Sequence, residues 1–293
     1  MIDGTGAPAT PVQRVVDLHM HSTASDGSRA PEAVAAAAHA AGISAIALTD
    51  HDTVAGVVAA RVAGERLGLR VITGVELSAE DGSREVHVLG LHLERLDAIE
   101  TAMEGFRQTR IDRAREMVTK LNALGVPVTF DAVIAAAGGG AVGRPHVARA
   151  VVAGGWVEDQ RDVFDRYIGQ GKPANVPKAR LDFADAIALI HAAGGLAIVA
   201  HPGVDFNRTR VERAVGMGLD GLEVHHPSNS ADEVRRLRAL TEHFKLVPSG
   251  GSDWHGAEQG PRTIGMMKVP YAILEQQEAR LAARRTSAVS EGA

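Results

Sequence analysis

Short runs of β-branched and other apolar residues alternate along this chain with Ala- and Leu-rich stretches whose apolar positions recur every three or four residues. The first pattern predicts strands and the second amphipathic helices, and their alternation predicts a parallel α/β sheet or barrel. Seven strands are expected, at Val15 to His21, Ile43 to Thr49, Leu69 to Glu76, Glu85 to Leu91, Leu196 to Ala200, Leu219 to Val224 and Lys245 to Ser249. Helices are expected over Pro31 to Ala41, Val54 to Leu67, Phe183 to Ala193 and Asp232 to His243. Pro31 suits a first helical turn, where its missing N–H is not needed, while Gly42, Gly68 and Gly194 stand where helices stop.

Between about Asp97 and Leu181 the strand signal vanishes. A long charged helix is expected from Ile99 to Leu124, followed by shorter ones at Phe130 to Ala137, Pro145 to Ala153 and Asp159 to Tyr167, with a Gly-rich connection from Gly138 to Gly143. The expected organisation is therefore a discontinuous barrel over 12–96 and 182–285, a helical insert over 97–181 that caps the substrate, and flexible tails at 1–11 and 286–293.

Composition narrows the chemistry. The chain has 293 residues and no cysteine, which excludes disulfides, thiolate zinc sites and cysteine nucleophiles and leaves imidazole and oxygen as the strong ligands. A net charge of -5 gives no electrostatic footprint for duplex nucleic acid. With no signal-like opening and no apolar run of membrane length, the expectation is a cytoplasmic protein without a membrane partner.

Candidate ligands gather where the predicted strands end. His19 and His21 share one face of the first strand by its two-residue period, and Asp26 follows in the loop. His51 closes the second strand, Glu76 the third, His87 lies in the fourth, His201 follows the fifth, and Asp253 and His255 follow the last. In a barrel the carboxyl ends of the strands open on one face, so these nine residues can converge. Six imidazoles and three carboxylates exceed what one ion takes and suit two or three, with Glu76 as a candidate bridge. Mixed nitrogen and oxygen ligation suits Mn²⁺, with Fe²⁺ and Zn²⁺ as alternatives, and argues against Ca²⁺ or an all-oxygen Mg²⁺ site. Such a cluster lowers the pKa of bound water and neutralises phosphate oxygens, so phosphate-ester hydrolysis is the expected reaction.

The series His19-Met20-His21, Ser25-Asp26-Gly27, Thr49-Asp50-His51-Asp52, Gly74-Val75-Glu76, His87-Val88-Leu89-Gly90, Ala200-His201-Pro202 and Ser252-Asp253-Trp254-His255 resembles the polymerase-and-histidinol-phosphatase (PHP) superfamily. That resemblance implies a distorted seven-stranded β/α barrel with metals at the carboxyl ends. The helical insert, with Gly143-Arg144-Pro145-His146, Gly171-Lys172-Pro173-Ala174 and Leu222-Glu223-Val224-His225-His226-Pro227, resembles the nucleoside 3′,5′-bisphosphate phosphatase branch. Some members of that branch also trim short RNA from the 5′ end. The implied reaction removes the 3′-phosphate of a small nucleotide such as 3′-phosphoadenosine 5′-phosphate. Within this reading His201, Asp253 and His255 are candidates for proton transfer as well as ligation, and Arg144, His146, Lys172 and His226 are candidate substrate contacts. Lys172 reads equally well as a solvated loop lysine. Histidinol phosphate is the rival substrate, and a metal-binding accessory domain without turnover is the rival class.

Overall fold

The computed structural model describes residues 14–137, 142–177 and 181–291, the side chains of 287–291 excepted. Gly138, the start of the expected Gly-rich connection, and the expected tail 1–11 lie outside the described residues. In chain order the elements are β1 (Val15–Met20), α1 (Pro31–Ala40), β2 (Ala45–Leu48), α2 (Val57–Leu67), β3 (Arg70–Asp81), β4 (Arg84–Leu91), α3 (Leu96–Ala123), α4 (Phe130–Ala137) and α5 (Arg144–Ala153). They continue with α6 (Gln160–Val163), a π-helical turn (Phe164–Ile168), β5 (Leu181–Asp182), α7 (Phe183–Ala192), β6 (Leu196–Val199), α8 (Arg208–Gly216), β7 (Gly221–His225), α9 (Ala231–His243), β8 (Val247–Gly250), β9 (Val269–Pro270) and α10 (Tyr271–Glu291).

The chain divides into two compact units, one formed by Met1–Leu96 with Phe183–Ala293, the other by Asp97–Asp182. In the first, eight strands follow the order β8-β7-β6-β4-β3-β2-β1-β9 in a nearly closed, barrel-like sheet. The ends of β1 and β8 approach each other: Met20 bridges Trp254, and Ser252 N donates to Asp17 Oδ1 at 2.9 Å. Gly251 makes that approach possible, since a Cβ there would lie 2.5 Å from the Cβ of His19.

All seven expected strands occur, but the sheet is not wholly parallel. β3 pairs antiparallel with β4, and β4 antiparallel with β6, whereas β1–β2, β2–β3, β6–β7 and β7–β8 are parallel. The cause is local: β3 runs five residues past Glu76 to Asp81 and turns through Gly82 (φ +66°) and Ser83 into β4. A two-residue connection with positive φ joins antiparallel strands and cannot serve a parallel crossover. His87 therefore reaches the cluster from a strand of reversed direction, not from a carboxyl end as expected.

The apolar faces close around this sheet in two layers. Ile46, Leu48 and Met20 pack with Val34, Ala35, Ala38 and Ala60 of α1 and α2. Leu18, Leu89, Leu91 and Ile198 belong to a second cluster with Ile273, Leu274 and Leu281 of α10. α10 extends through Glu291, past the expected barrel boundary at 285. The Asp97–Asp182 unit has its own core, in which Met117, Leu121, Val133, Val147, Val151, Val163 and Ile168 are buried together. Among the described residues no helix is long and apolar enough to cross a membrane.

Candidate metal centre

β1 delivers two imidazoles and the neighbouring strands deliver what surrounds them. The β1–β2 register shifts between Asp17 and Met20, and the β7–β8 register shifts between Glu223 and His225. Such irregularities bend a strand and re-aim its side chains, and both lie beside the centre. Further positioning comes from Asp50, which accepts from Ser22 N, Ser22 Oγ and Ser25 Oγ, each at 2.7 Å, and so ties down the loop that carries Asp26.

Glu76 is the hub. Its Oε2 lies 3.2 Å from His19 Nε2, 3.3 Å from His21 Nε2 and 3.3 Å from His51 Nδ1, and its Oε1 lies 2.9 Å from His87 Nδ1 and 3.0 Å from His201 Nε2. The two oxygens thus address different sets of histidines, as a bridging carboxylate would. Asp26 Oδ1 lies 3.2 Å from His255 Nε2, and its Oδ2 lies 3.8 Å from His51 Nε2. Asp253 turns Oδ1 toward His21 Nε2 (3.2 Å) and His19 Nε2 (3.5 Å), and Oδ2 toward His226 Nε2 (3.4 Å) and Arg262. All nine sequence-predicted ligands therefore meet in one cluster.

The donor set fits divalent ions. Three overlapping groups, His21-Asp26-His51-His255, His19-His21-Glu76 and His51-Glu76-His87, each bring their ligand atoms within 4.8 Å of one another. Both ring nitrogens of His21 are buried without a hydrogen bond although carboxylate oxygens stand 3.2–3.7 Å away. Unsatisfied buried nitrogens are costly, and a cation between them and the carboxylates removes that cost. His201 (φ +29°) and Asp253 (φ +51°) adopt positive φ, a conformation that non-glycine residues hold only where the surroundings enforce it.

Without a cation the histidines and carboxylates perturb one another. Burial would raise Glu76, but the charge and hydrogen bond of His19, the hydrogen bond of His201 and the nearby imidazole of His21 hold it well below the usual carboxylate range. Burial would likewise raise Asp253 and Asp26, yet His21, His226 and His19 pull the first down, and His255 and His51 hold the second at about 2. His19 is raised despite burial by Glu223 and Glu76, and His87 is raised despite burial by Glu76. His255 is raised chiefly by its hydrogen bond with Asp26, whereas burial lowers His51. Asp17 of β1 is pushed up to about 6 by its burial.

Two members escaped the reading of the sequence. Glu223, fully buried, accepts from His19 Nδ1 at 2.9 Å and from the backbone N–H of His201 at 2.7 Å, orienting one predicted ligand and anchoring another. The available signal was a lone glutamate inside the apolar run Leu222-Glu223-Val224, where a strand buries every residue. Arg262 offered none, standing in a polar Gly/Pro loop.

His226, expected to meet substrate, is buried, with Ser228 Oγ 2.7 Å from Nδ1 and Asp253 beyond Nε2. A cleft of about 680 Å³ opens beside His87 and His201, bordered by Arg84, Phe206 and Arg210. In the helical unit, Arg144 opens α5 with its guanidinium 5.6 Å from the Phe164 ring centre. His146 Nδ1 accepts from Gly143 N at 2.9 Å and so caps that helix, and Lys172 is exposed.

The sequence profile of the PHP domain matches residues 17–169. A 3′,5′-nucleoside bisphosphate phosphatase of Chromobacterium violaceum is 36% identical over 257 residues, covering 85% of this chain and 90% of that protein. A 5′-3′ exoribonuclease of Haemophilus influenzae is 39% identical over 246 residues, covering 82% of this chain and 89% of that protein. Among solved structures, a metal-dependent phosphoesterase of Bifidobacterium adolescentis superposes with a TM-score of 0.69 at 31% identity, covering 92% of this chain and 97% of its own.

Proposed function

This chain belongs to the PHP domain family and is a metal-dependent phosphoesterase, and from that premise we propose that it removes the 3′-phosphate from nucleoside 3′,5′-bisphosphates. The observation that carries the reading is the convergence of five imidazoles on the two oxygens of one buried glutamate, Glu76, in a chain that aligns over most of its length with a bisphosphate phosphatase. The residues proposed to hold two or three divalent ions, with Mn²⁺ the best match, are His19, His21, Asp26, His51, Glu76, His87, His201, Asp253 and His255. Ions held there supply charge neutralisation at the phosphate oxygens and acidify water.

The protein's own residues do the remaining work. Glu223 fixes the ring of His19 and the backbone at His201, so that neither must reorganise when substrate enters. His255 donates from Nδ1 to Asp253 O at 2.9 Å, which leaves Nε2 as its ligating nitrogen and directs it to Asp26, so that the two would hold an ion together. Arg144, His146 and Lys172 of the helical unit and His226 beside Asp253 are the proposed substrate contacts. Trimming of short RNA from the 5′ end is a second reading, favoured by the likeness to the Haemophilus protein.

The test compares, for purified, Mn²⁺-reconstituted protein under one metal loading, phosphate release from 3′-phosphoadenosine 5′-phosphate and from histidinol phosphate with mononucleotide release from a 5′-phosphorylated RNA oligomer. The bisphosphate should be turned over fastest, and exhaustive chelation should abolish turnover. Preference for histidinol phosphate, or full activity after chelation verified by elemental analysis, would defeat the proposal.

A further inference from the structure

We infer that Arg262 is a substrate contact inside the barrel unit, gripping the phosphoryl group that is hydrolysed, whichever phosphoester carries it. The inference rests on the phosphoester chemistry proposed above and goes beyond its choice of substrate. Arg262 reaches Asp253 Oδ2 through Nη1, on the side of that carboxylate turned away from His19 and His21. Its other guanidinium donors have no partner among the described residues, and the side chain is 47% exposed.

Charge balance alone does not explain an arginine here. Asp253 already has His19, His21, His226 and His255 within 3.2–3.5 Å, so its carboxylate is well supplied with partners. A guanidinium can keep one carboxylate on one edge and offer a second pair of parallel N–H groups to another anion, a geometry that matches two phosphoryl oxygens. The loop holds the residue ready. Trp254 Nε1 donates to Ala257 O at 2.8 Å, Thr263 closes a turn onto Gly260 O through its N–H (3.2 Å) and hydroxyl (2.7 Å), and Pro261 fixes the backbone just before Arg262. Arg262 thus places a half-exposed cation with spare donors directly beside the cluster.

The experiment compares wild type, Arg262→Ala and Arg262→Lys, all loaded with Mn²⁺, by calorimetric titration of inorganic phosphate, by elemental analysis and by kcat/KM on a plain monoester and a 3′,5′-bisphosphate. Loss of a charge-assisted bidentate contact should weaken phosphate binding and lower kcat/KM on both substrates by about ten- to a hundredfold, with Mn²⁺ content unchanged and lysine recovering part of the loss. Unchanged phosphate affinity would overturn the inference, as would loss of Mn²⁺ from Arg262→Ala, which would make Arg262 a positioning residue for Asp253. Should the alanine variant fail to fold, Arg262→Gln carries the same comparison, weaker phosphate binding supporting the contact and unchanged binding removing it. A wild type that binds phosphate but spares bisphosphates would defeat the proposed substrate and leave the role of Arg262 to the titration.

Discussion

In the barrel unit the charged residues that matter are buried against each other: Glu76 and Glu223 are at most 1% exposed, and Glu76 meets five imidazoles and Glu223 the ring of His19 within 3.3 Å. In the helical unit the candidate substrate cations behave otherwise, Lys172 standing in solvent and Arg144 having an aromatic ring 5.6 Å away as its neighbour. Burying charge is expensive unless every group is paired, so a dense charged cluster persists only where something repays its desolvation. A cation that selects among soluble anions has no such requirement and needs reach more than enclosure. The contrast suggests that the barrel supplies the reaction and the helical unit supplies the choice of substrate, and each half of that division can be broken separately.

The largest effect should come from the hub. Glu76→Gln keeps shape and removes the charge that five histidines share, so bound Mn²⁺ should fall sharply and turnover on every phosphoester by at least about a thousandfold, the equivalent of several kcal/mol of transition-state stabilisation. Elemental analysis beside phosphate release checks this, and a variant that keeps its metal and most of its activity would remove Glu76 from the centre.

Glu223→Gln should act more gently, because it alters the support of His19 and not a ligand. A loss of about ten- to a hundredfold in Mn²⁺ affinity is expected, read from a competition titration with a metal indicator. Unaltered affinity would show that the His19 ring is held by packing alone.

Arg144→Ala sharpens the comparison from the other side. Removing roughly 1.5–3 kcal/mol of charge-assisted bonding should lower kcat/KM on a 3′,5′-bisphosphate by about ten- to a hundredfold and leave a plain monoester nearly untouched. Arg262→Ala, by contrast, should lower both. Equal losses on both substrates for Arg144→Ala would deny the helical unit its selective role.

The candidate ligands were legible because the chemistry and the fold leave marks at the same places: His19 and His21 obey the strand period, and His51 and His201 follow the ends of β2 and β6, whereas Glu76, expected to close its strand, lies within β3. What escaped depends on contacts distant in sequence or on local turns. Glu223 acquires its meaning from His19, 204 residues away, and no pattern around Leu222 announces that partner. The reversal of β4 was written in Asp81-Gly82-Ser83, a turn signal overridden in reading by the alternation of strands and helices elsewhere. β9 has two residues, too few for any periodicity, and α10 joins the sheet core through Ile273, Leu274 and Leu281 although charged residues surround them in sequence.

The smallest effect expected is a pH dependence of stability that changes sign with metal. In the chelated protein His19, His87 and His255 have raised pKa values, so the stability they contribute is fully present below their unfolded pKa near 6.5 and is lost as pH rises through the raised values. Asp17, pushed up to about 6, acts in the same direction, its contribution fading as pH climbs through that value. The lowered carboxylates, Glu76, Glu223, Asp253 and Asp26, contribute stability above their unfolded values and lose it only as pH falls through the depressed ones, so they stay constant across the neutral range. His51, lowered by burial, opposes the trend weakly because its penalty ends once it is neutral. Divalent ions compete with those same imidazole protons, so their stabilisation grows as pH rises. From roughly pH 6 to pH 8.5, Tm should therefore fall by a few degrees in chelator and hold or rise in saturating Mn²⁺, widening the gap between the two scans. Differential scanning calorimetry of both forms across that range measures the gap directly. A gap independent of pH would mean that the ions do not displace protons from His19, His87 and His255, and the barrel's buried cluster would then owe its charge pattern to folding and not to metal.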